Sequence, residues 1–318
     1  MAKLVLGFGS SHGPTMRTPA DDWPNLDRKD QQDARFDYAG LLARAPASIM
    51  QEITPEKMQE RYDACQVGMK RLSEVIAEAA PDVVLVVSNT HTALADDYQV
   101  AFGVYRGADL PVSGRRRRVL ADGTPINEPR TVADIKTYSS DPELAHHLIA
   151  SLVDEEFDIG YADKMRPDQM VEDAWSVMYE VFVPNPDVKM VPFLLSRYRP
   201  NQATPARCYA LGQALRRAID SWDSDKRVAI MASGGLSHQV VDEELDRSVV
   251  DALMEKNVEA LVGLDRTRLN KAPGTPEILN WVTAAGALED RDMTLIDYVP
   301  CYRGPAGTGH GVTYAYWK

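Results

Sequence analysis

The sequence predicts an α/β protein, a central mostly parallel or mixed sheet flanked by helices, with a helical excursion near the N-terminus. Three observations predict it. Short runs of strand-forming apolar residues, 3–9 (KLVLGFG), 83–88 (VVLVVS) and 228–232 (VAIMA), alternate with stretches of helical period. A capping residue followed by proline, at Thr54-Pro55, Asp141-Pro142 and Thr204-Pro205, opens three of those stretches. A histidine then stands just past each strand run: His12, His91 and His238. In a largely parallel sheet the carboxyl ends of the strands line one crevice, so the three imidazoles are expected to converge there.

Taken in order, the first strand leads into a polar, proline-punctuated stretch, 14–55, whose Asp21, Asp22, Asp27 and Asp30 lack the spacing of a calcium loop. Met58, Tyr62, Cys65, Met69, Leu72 and Ile76 then keep helical period up to Pro81, so a long amphipathic helix feeds the second strand and 14–81 reads as a helical excursion. Residues 99–105 read as a strand, and 106–130, with four arginines at Arg115–Arg118 among Gly and Pro, as a loop or two-stranded excursion. Helices are expected at 141–153, 169–181, 204–222, 242–258 and 277–285, and strands at 191–196, 294–302 and 312–317. No internal repeat or linker tract divides the chain, so residues 1–318 read as one domain.

Composition narrows the function. With 44% hydrophobic residues in 318 the chain can bury a substantial core, and a net charge of -12 disfavours nucleic acid or an anionic membrane as partner. A small-molecule substrate fits better. Cys65, Cys208 and Cys301 are far apart and form no CxxC pair, which speaks for reduced thiols and a cytoplasmic protein. The apolar run after Lys3 is too short for a signal-peptide core, and no segment approaches membrane-spanning length.

Two neutral imidazoles and one carboxylate on one face of a metal leave the opposite positions open, the pattern of non-haem Fe(II) oxygenases. His12 and His91 suit the nitrogen positions. Glu277, in GTPEILNW after Gly274, suits the carboxylate, although periodicity alone favours a first-turn acid that complements its helix dipole. His238, in SGGLSHQ, suits a general acid and base near neutral pH. Its neighbour Ser237 lacks the closing glycine of a nucleophile elbow. His146 and His147 fall mid-helix and read as surface or packing residues, the Arg115–Arg118 run as a solvated loop with a carboxylate clamp as its alternative, and His310 in GTGHG either as a residue bordering the pocket or as a plain loop histidine between glycines.

At SSHGP, SNTHTA, ASGGLSHQ and EILNWVTAAGAL, and in the tail CYRGPAGTGHGVTYAYW, the chain resembles the class III extradiol ring-cleavage dioxygenases, the family of the protocatechuate 4,5-dioxygenase catalytic subunit. Further stretches, HGPTMRTPADDW and RPNQATPARCYALGQALRRAI, look like its single-chain branch, which includes 3-O-methylgallate dioxygenases. The resemblance runs nearly end to end. It implies one catalytic domain with Fe(II) held by His12, His91 and Glu277, and His238 as the acid/base. It implies a phenolic substrate cleaved with O2, and a homodimer whose 14–81 excursion caps the site. Two departures stand out: NTHTA around His91, where relatives of that branch carry acidic or amide residues, and Asp173 in EDAWSVMY, where relatives often have a histidine that reaches substrate hydroxyls. The rival readings are a zinc hydrolase on the same triad and a binding protein of the same fold.

Overall fold

The computed structural model describes residues 1–89, 100–112, 115–119, 125–129, 136–165, 171, 173–197 and 199–318. Its strands are β1 (Lys3–Ser10), β2 (Val83–Asn89), β3 (Phe102–Tyr105), β4 (Asp109–Val112), β5 (Arg115–Val119), β6 (Pro125–Pro129), β7 (Lys136–Ser139), β8 (Ile159–Ala162), β9 (Lys189–Leu195), β10 (Arg227–Ser233), β11 (His238–Val240), β12 (Met293–Tyr302) and β13 (Thr308–Trp317). The α/β class holds, and the sheet is mixed. Its order is β11-β13-β1-β10-β2-β9-β3-β8, with β12 on β13. The four strands β1, β10, β2 and β9 run parallel, flanked by antiparallel pairings of β13 to β1 and β3 to β9.

Side-chain alternation along the parallel strands builds two apolar layers. In β2, Val83, Leu85 and Val87 face one layer while Val84 and Val86 face the other, and in β10 Val228 and Ile230 oppose Ala229 and Met231. Residues buried on both faces read as the continuous apolar runs seen in the sequence. The first layer is covered by α5 (Pro142–Asp154), α7 (Pro205–Ser221), α8 (Glu243–Met254) and α11 (Ile278–Ala287). The second is covered by the N-terminal helices, α1 (Trp23–Asp30) and the long α4 (Pro55–Ala79), and by α6 (Asp173–Val177). Small helices α2 (Tyr38–Arg44), α3 (Ile49–Glu52), α9 (Val258–Val262) and α10 (Arg266–Leu269) are the remaining α-helices among the described residues. The cap-plus-proline signals are literal: Thr54, Asp141 and Thr204 each accept a backbone N–H three residues on.

Several boundaries differ from the sequence reading. The helix expected over 242–258 breaks into α8 and α9, because Lys256 adopts φ 54° and Asn257 caps the second piece. Of the helix expected over 169–181, α6 is described and passes into a π-helical turn, Met178–Phe182. The strand expected from Gln99 begins at Phe102; Gln99 lies outside the described residues. Strands β7, β8 and β11 were not expected, being short and weakly patterned. The 106–130 excursion contains the hairpin β5–β6, and side chains of Arg115–Arg118 lie outside the described residues.

Candidate metal and acid/base site

Register brings the carboxyl ends of the parallel strands level: Ser10 pairs with Ser233, Ala232 with Val87, and Asn89 with Leu195. The chain turns polar there. Ser10, Ser88, Asn89 and Ser233 are wholly buried, and His12 follows β1 by two residues at 3% exposure.

The orientation of His12 follows from its neighbour. Ser233 donates its single hydroxyl hydrogen to the Ala174 carbonyl, so its oxygen accepts from the His12 Nδ1, 3.1 Å away. Nδ1 is thereby held by Ser233, and Nε2 lies 3.7 Å from the Glu277 Oε2. A ligand histidine is oriented in this manner, its second nitrogen donating to a fixed acceptor.

Glu277 is completely buried where a 3-10 turn, Thr275–Glu277, enters α11. Its carboxylate leaves the helix axis: Oε2 accepts the Gly235 N–H at 3.0 Å, and Oε1 accepts from Arg197 Nη1 at 3.2 Å. Gly234 makes that approach feasible, since its φ is 115° and a Cβ there would fall 2.3 Å from Oε2. His238 lies opposite, on β11, its Nδ1 3.0 Å from Oε2 and without a hydrogen bond's alignment to any described residue. His12, His238 and Glu277 thus offer three ligand atoms within 4.8 Å of one another. Two imidazoles, one carboxylate and a buried His238 Nδ1 without a hydrogen bond among the described residues fit a divalent metal.

His91 lies outside the described residues. Asn89, two positions earlier, is anchored by its Nδ2 donating to the Leu195 carbonyl, while its Oδ1 accepts from Asn280. His310 lies within β13, paired with His238 of β11, and not in a loop, and it joins the cluster. Its ring meets that of His238 edge-on with centroids 4.3 Å apart. Its Nδ1 lies 3.0 Å from Thr15 Oγ1 and 3.2 Å from Arg303 Nη1, and Arg303 in turn grips Asp30 of α1 through bonds of 2.6 and 2.7 Å. Burial first, then the His238 and Arg303 charges, hold its pKa well below the ordinary histidine value, so it stays neutral.

Asp173 sits at the edge. Its carboxylate lies 3.3 Å from Arg17 Nη2, and Arg17 also donates to Glu180. The next residue, Ala174, accepts the Ser233 hydroxyl, so Asp173 lies one residue from the His12–Ser233 link. His147 packs on Trp222 and meets the Ala218 carbonyl, away from the cluster, and His146 is exposed. The sequence reading missed Arg197 and Ser233, although Ser233 ends β10, Arg197 follows β9 by two residues, and the crevice rule that selected the histidines applies to both. Arg303 carried no such signal.

This placement defines the class: an α/β protein with a buried His/His/Glu cluster, of a kind that holds a metal, at the carboxyl edge of its parallel strands. The family model for the catalytic LigB subunit of aromatic ring-opening dioxygenase matches residues 39–313, and the chain belongs to that family. The resemblance to class III extradiol dioxygenases is borne out. The chain is also 30% identical over 164 residues to gallate dioxygenase of Pseudomonas putida (strain KT2440), covering 49% of this chain and 48% of that protein. The matched part thus spans about half the length of that curated relative. No helix among the described residues is long and apolar enough to cross a membrane.

Proposed function

We propose that this protein is an Fe(II)-dependent extradiol dioxygenase acting on a catechol or trihydroxybenzene that bears a carboxylate or methoxy group, as in lignin-derived aromatics. The observation that carries it is the buried cluster in which ligand atoms of His12, His238 and Glu277 lie within 4.8 Å of one another, with His12 Nδ1 held by Ser233. His12, His91 and Glu277 would hold the metal. Bound there, iron supplies open positions at which a phenol and dioxygen meet.

The rest of the reading assigns work to the chain's own residues. Glu277 Oε2 draws the Nδ1 edge of His238 toward itself, leaving Nε2 to take a proton from a substrate hydroxyl and return it as the ring opens. Neutral His310 packs edge-on against that imidazole and restricts its rotation, bordering the bound ring. Asp173, with Arg17 beside it, biases the site toward substrates whose hydroxyl or amine reaches the carboxylate and against those that place a carboxylate there. The buried apolar layers on either side of the edge limit water. The protein is proposed to be cytoplasmic and a homodimer with the 14–81 excursion at the site, independent of nucleic acid and membrane; a monomeric mass by light scattering at micromolar concentration would count against that assembly.

His238 as a third metal ligand is the runner-up, favoured by its place among the three clustered donors. Metal analysis of His238→Ala separates the two, since a proton-transfer residue can be lost without the metal. The main test is anaerobic titration of protocatechuate, gallate, 3-O-methylgallate and larger catechols into the Fe(II) protein, followed by air. Ring-opened product from at least one phenol is expected. Hydrolytic activity with zinc, or phenol binding without turnover, would overturn the reading.

A further inference from the structure

Behind the turn that carries His238 lies a buried carboxylate that the chemistry above does not use. Asp246, on α8, has no exposed surface. Its Oδ1 accepts the Ser237 backbone N–H at 2.7 Å, and its Oδ2 accepts both the Ser237 hydroxyl at 2.6 Å and the Tyr298 hydroxyl at 2.8 Å. The Ser237 oxygen in turn accepts the Asp242 N–H. Ser237 is therefore a bracket residue, with its hydroxyl hydrogen committed to a carboxylate.

The same carboxylate touches the strand that carries His310. A Cβ on Gly311 would fall 1.9 Å from Asp246 Oδ2, so only glycine admits β13 to this distance. There, Gly311 exchanges backbone hydrogen bonds with the turn: its N–H donates to the Ser237 carbonyl, and its carbonyl accepts from Leu236. The next register pair is His238 opposite His310. Asp246 thus joins the two segments whose imidazoles meet edge-on, one residue behind each.

We propose that Asp246 is the positioning residue for His238, fixing the Ser237 turn against β13 so that the imidazole faces Glu277. The inference rests on the acid/base role proposed for His238. A carboxylate serves here because three donors converge on it, and any apolar substitute would leave them buried and unsatisfied. Burial raises its pKa to about 6, a cost that a purely structural bracket could avoid with a neutral acceptor.

The test compares wild type with Asp246→Asn, which keeps the shape but turns one acceptor into a donor facing donors. With gallate as substrate and iron loaded anaerobically, kcat is expected to fall roughly 10- to 100-fold, the scale of a sub-ångström to ångström misplacement, while KM and iron content stay near wild type. A structural role alone would lower thermal stability without that split. The second readout needs no turnover: heteronuclear NMR of the histidine rings in the zinc-substituted protein. The His238 resonances are expected to shift in Asp246→Asn while those of His147 do not. Unchanged His238 resonances in a folded variant, or a rate loss that follows iron loss, would overturn the inference. If Asp246→Asn does not fold, Tyr298→Phe removes one donor and should shift the same resonances with a rate loss of about fivefold, the worth of an ordinary hydrogen bond. Should wild type cleave no phenol, the proposed function fails, and the resonances alone decide the role of Asp246.

Discussion

Within single strands of this protein the two ends carry opposite chemistry. β2 runs from Val83 through Val87 with every side chain buried and apolar, then ends in Ser88 and Asn89, equally buried and polar. β10 repeats the change at Ser233, and β1 at Ser10, followed by Ser11 and His12. The apolar lengths stabilise by area removed from water, about 25 cal/mol per Å². The polar ends gain nothing comparable, because each buried polar atom must recover in the fold the hydrogen bond it gave up in water. Asn280 illustrates the requirement: its Nδ2 serves both Asn89 and the Ser233 carbonyl. A polar network in the most buried part of the sheet is a cost that chemistry explains and packing does not.

Substitutions at the two ends should therefore separate stability from function. The largest effect is expected at the polar end, where Glu277→Ala should strip the metal almost completely, as measured by metal analysis after anaerobic purification. His12→Ala and His91→Ala should do the same; near-stoichiometric iron in any of them would remove that residue from the ligand set. His238→Ala should keep its metal and its affinity for phenol while turnover drops by roughly a hundred- to ten-thousand-fold, the usual loss for an acid/base residue. At the apolar end, Leu85→Ala should cost about 2–5 kcal/mol of unfolding free energy and leave metal content unchanged. A loss of metal there, without unfolding, would mean that the two ends are not separable.

Asp246 gives a pH-dependent version of the comparison. Its folded pKa of about 6 exceeds the ordinary 3.8, so the folded state holds this proton more tightly than the unfolded chain. That contribution is full below 3.8 and fades as pH rises through about 6, a change of about 3 kcal/mol across the window at the most. The stability advantage of wild type over Asp246→Asn should accordingly shrink from acid toward neutral pH in denaturant titrations. The groups facing it are Tyr298, Asp242 and the His238 and His310 segments, and a flat difference would show that they, rather than burial, set its ionisation. The smallest effect is expected for Asp173→His, a change of roughly tenfold in the ratio of gallate to protocatechuate turnover, the scale of one weakened charge contact. Unaltered preference would remove Asp173 from substrate choice.

Much of this division was legible in the sequence, for a physical reason. Strands buried on both faces have to be continuous apolar runs, so β1, β2 and β10 announced themselves, and the residues after them marked the crevice. His12, His238 and Glu277 do meet, and the carboxylate of Glu277 turns to its partners and away from its own helix end. What stayed hidden depends on pairing between distant segments. Asp246 looks like an acid in the first turns of α8, and only the fold brings Ser237 and Tyr298 to it. Arg303 gives no local sign that it spans Asp30 and His310. Likewise β11, three residues long, is a strand only because β13 lies beside it.

The most direct test of the central claim follows the oxygen. Anaerobically loaded Fe(II) protein is mixed with gallate and isotopically labelled dioxygen, and the product is weighed by mass spectrometry. Both labelled atoms should appear in a ring-opened product, with no product from the metal-free protein or from Glu277→Ala. Product formed equally without iron, or carrying oxygen from water in place of dioxygen, would contradict the account.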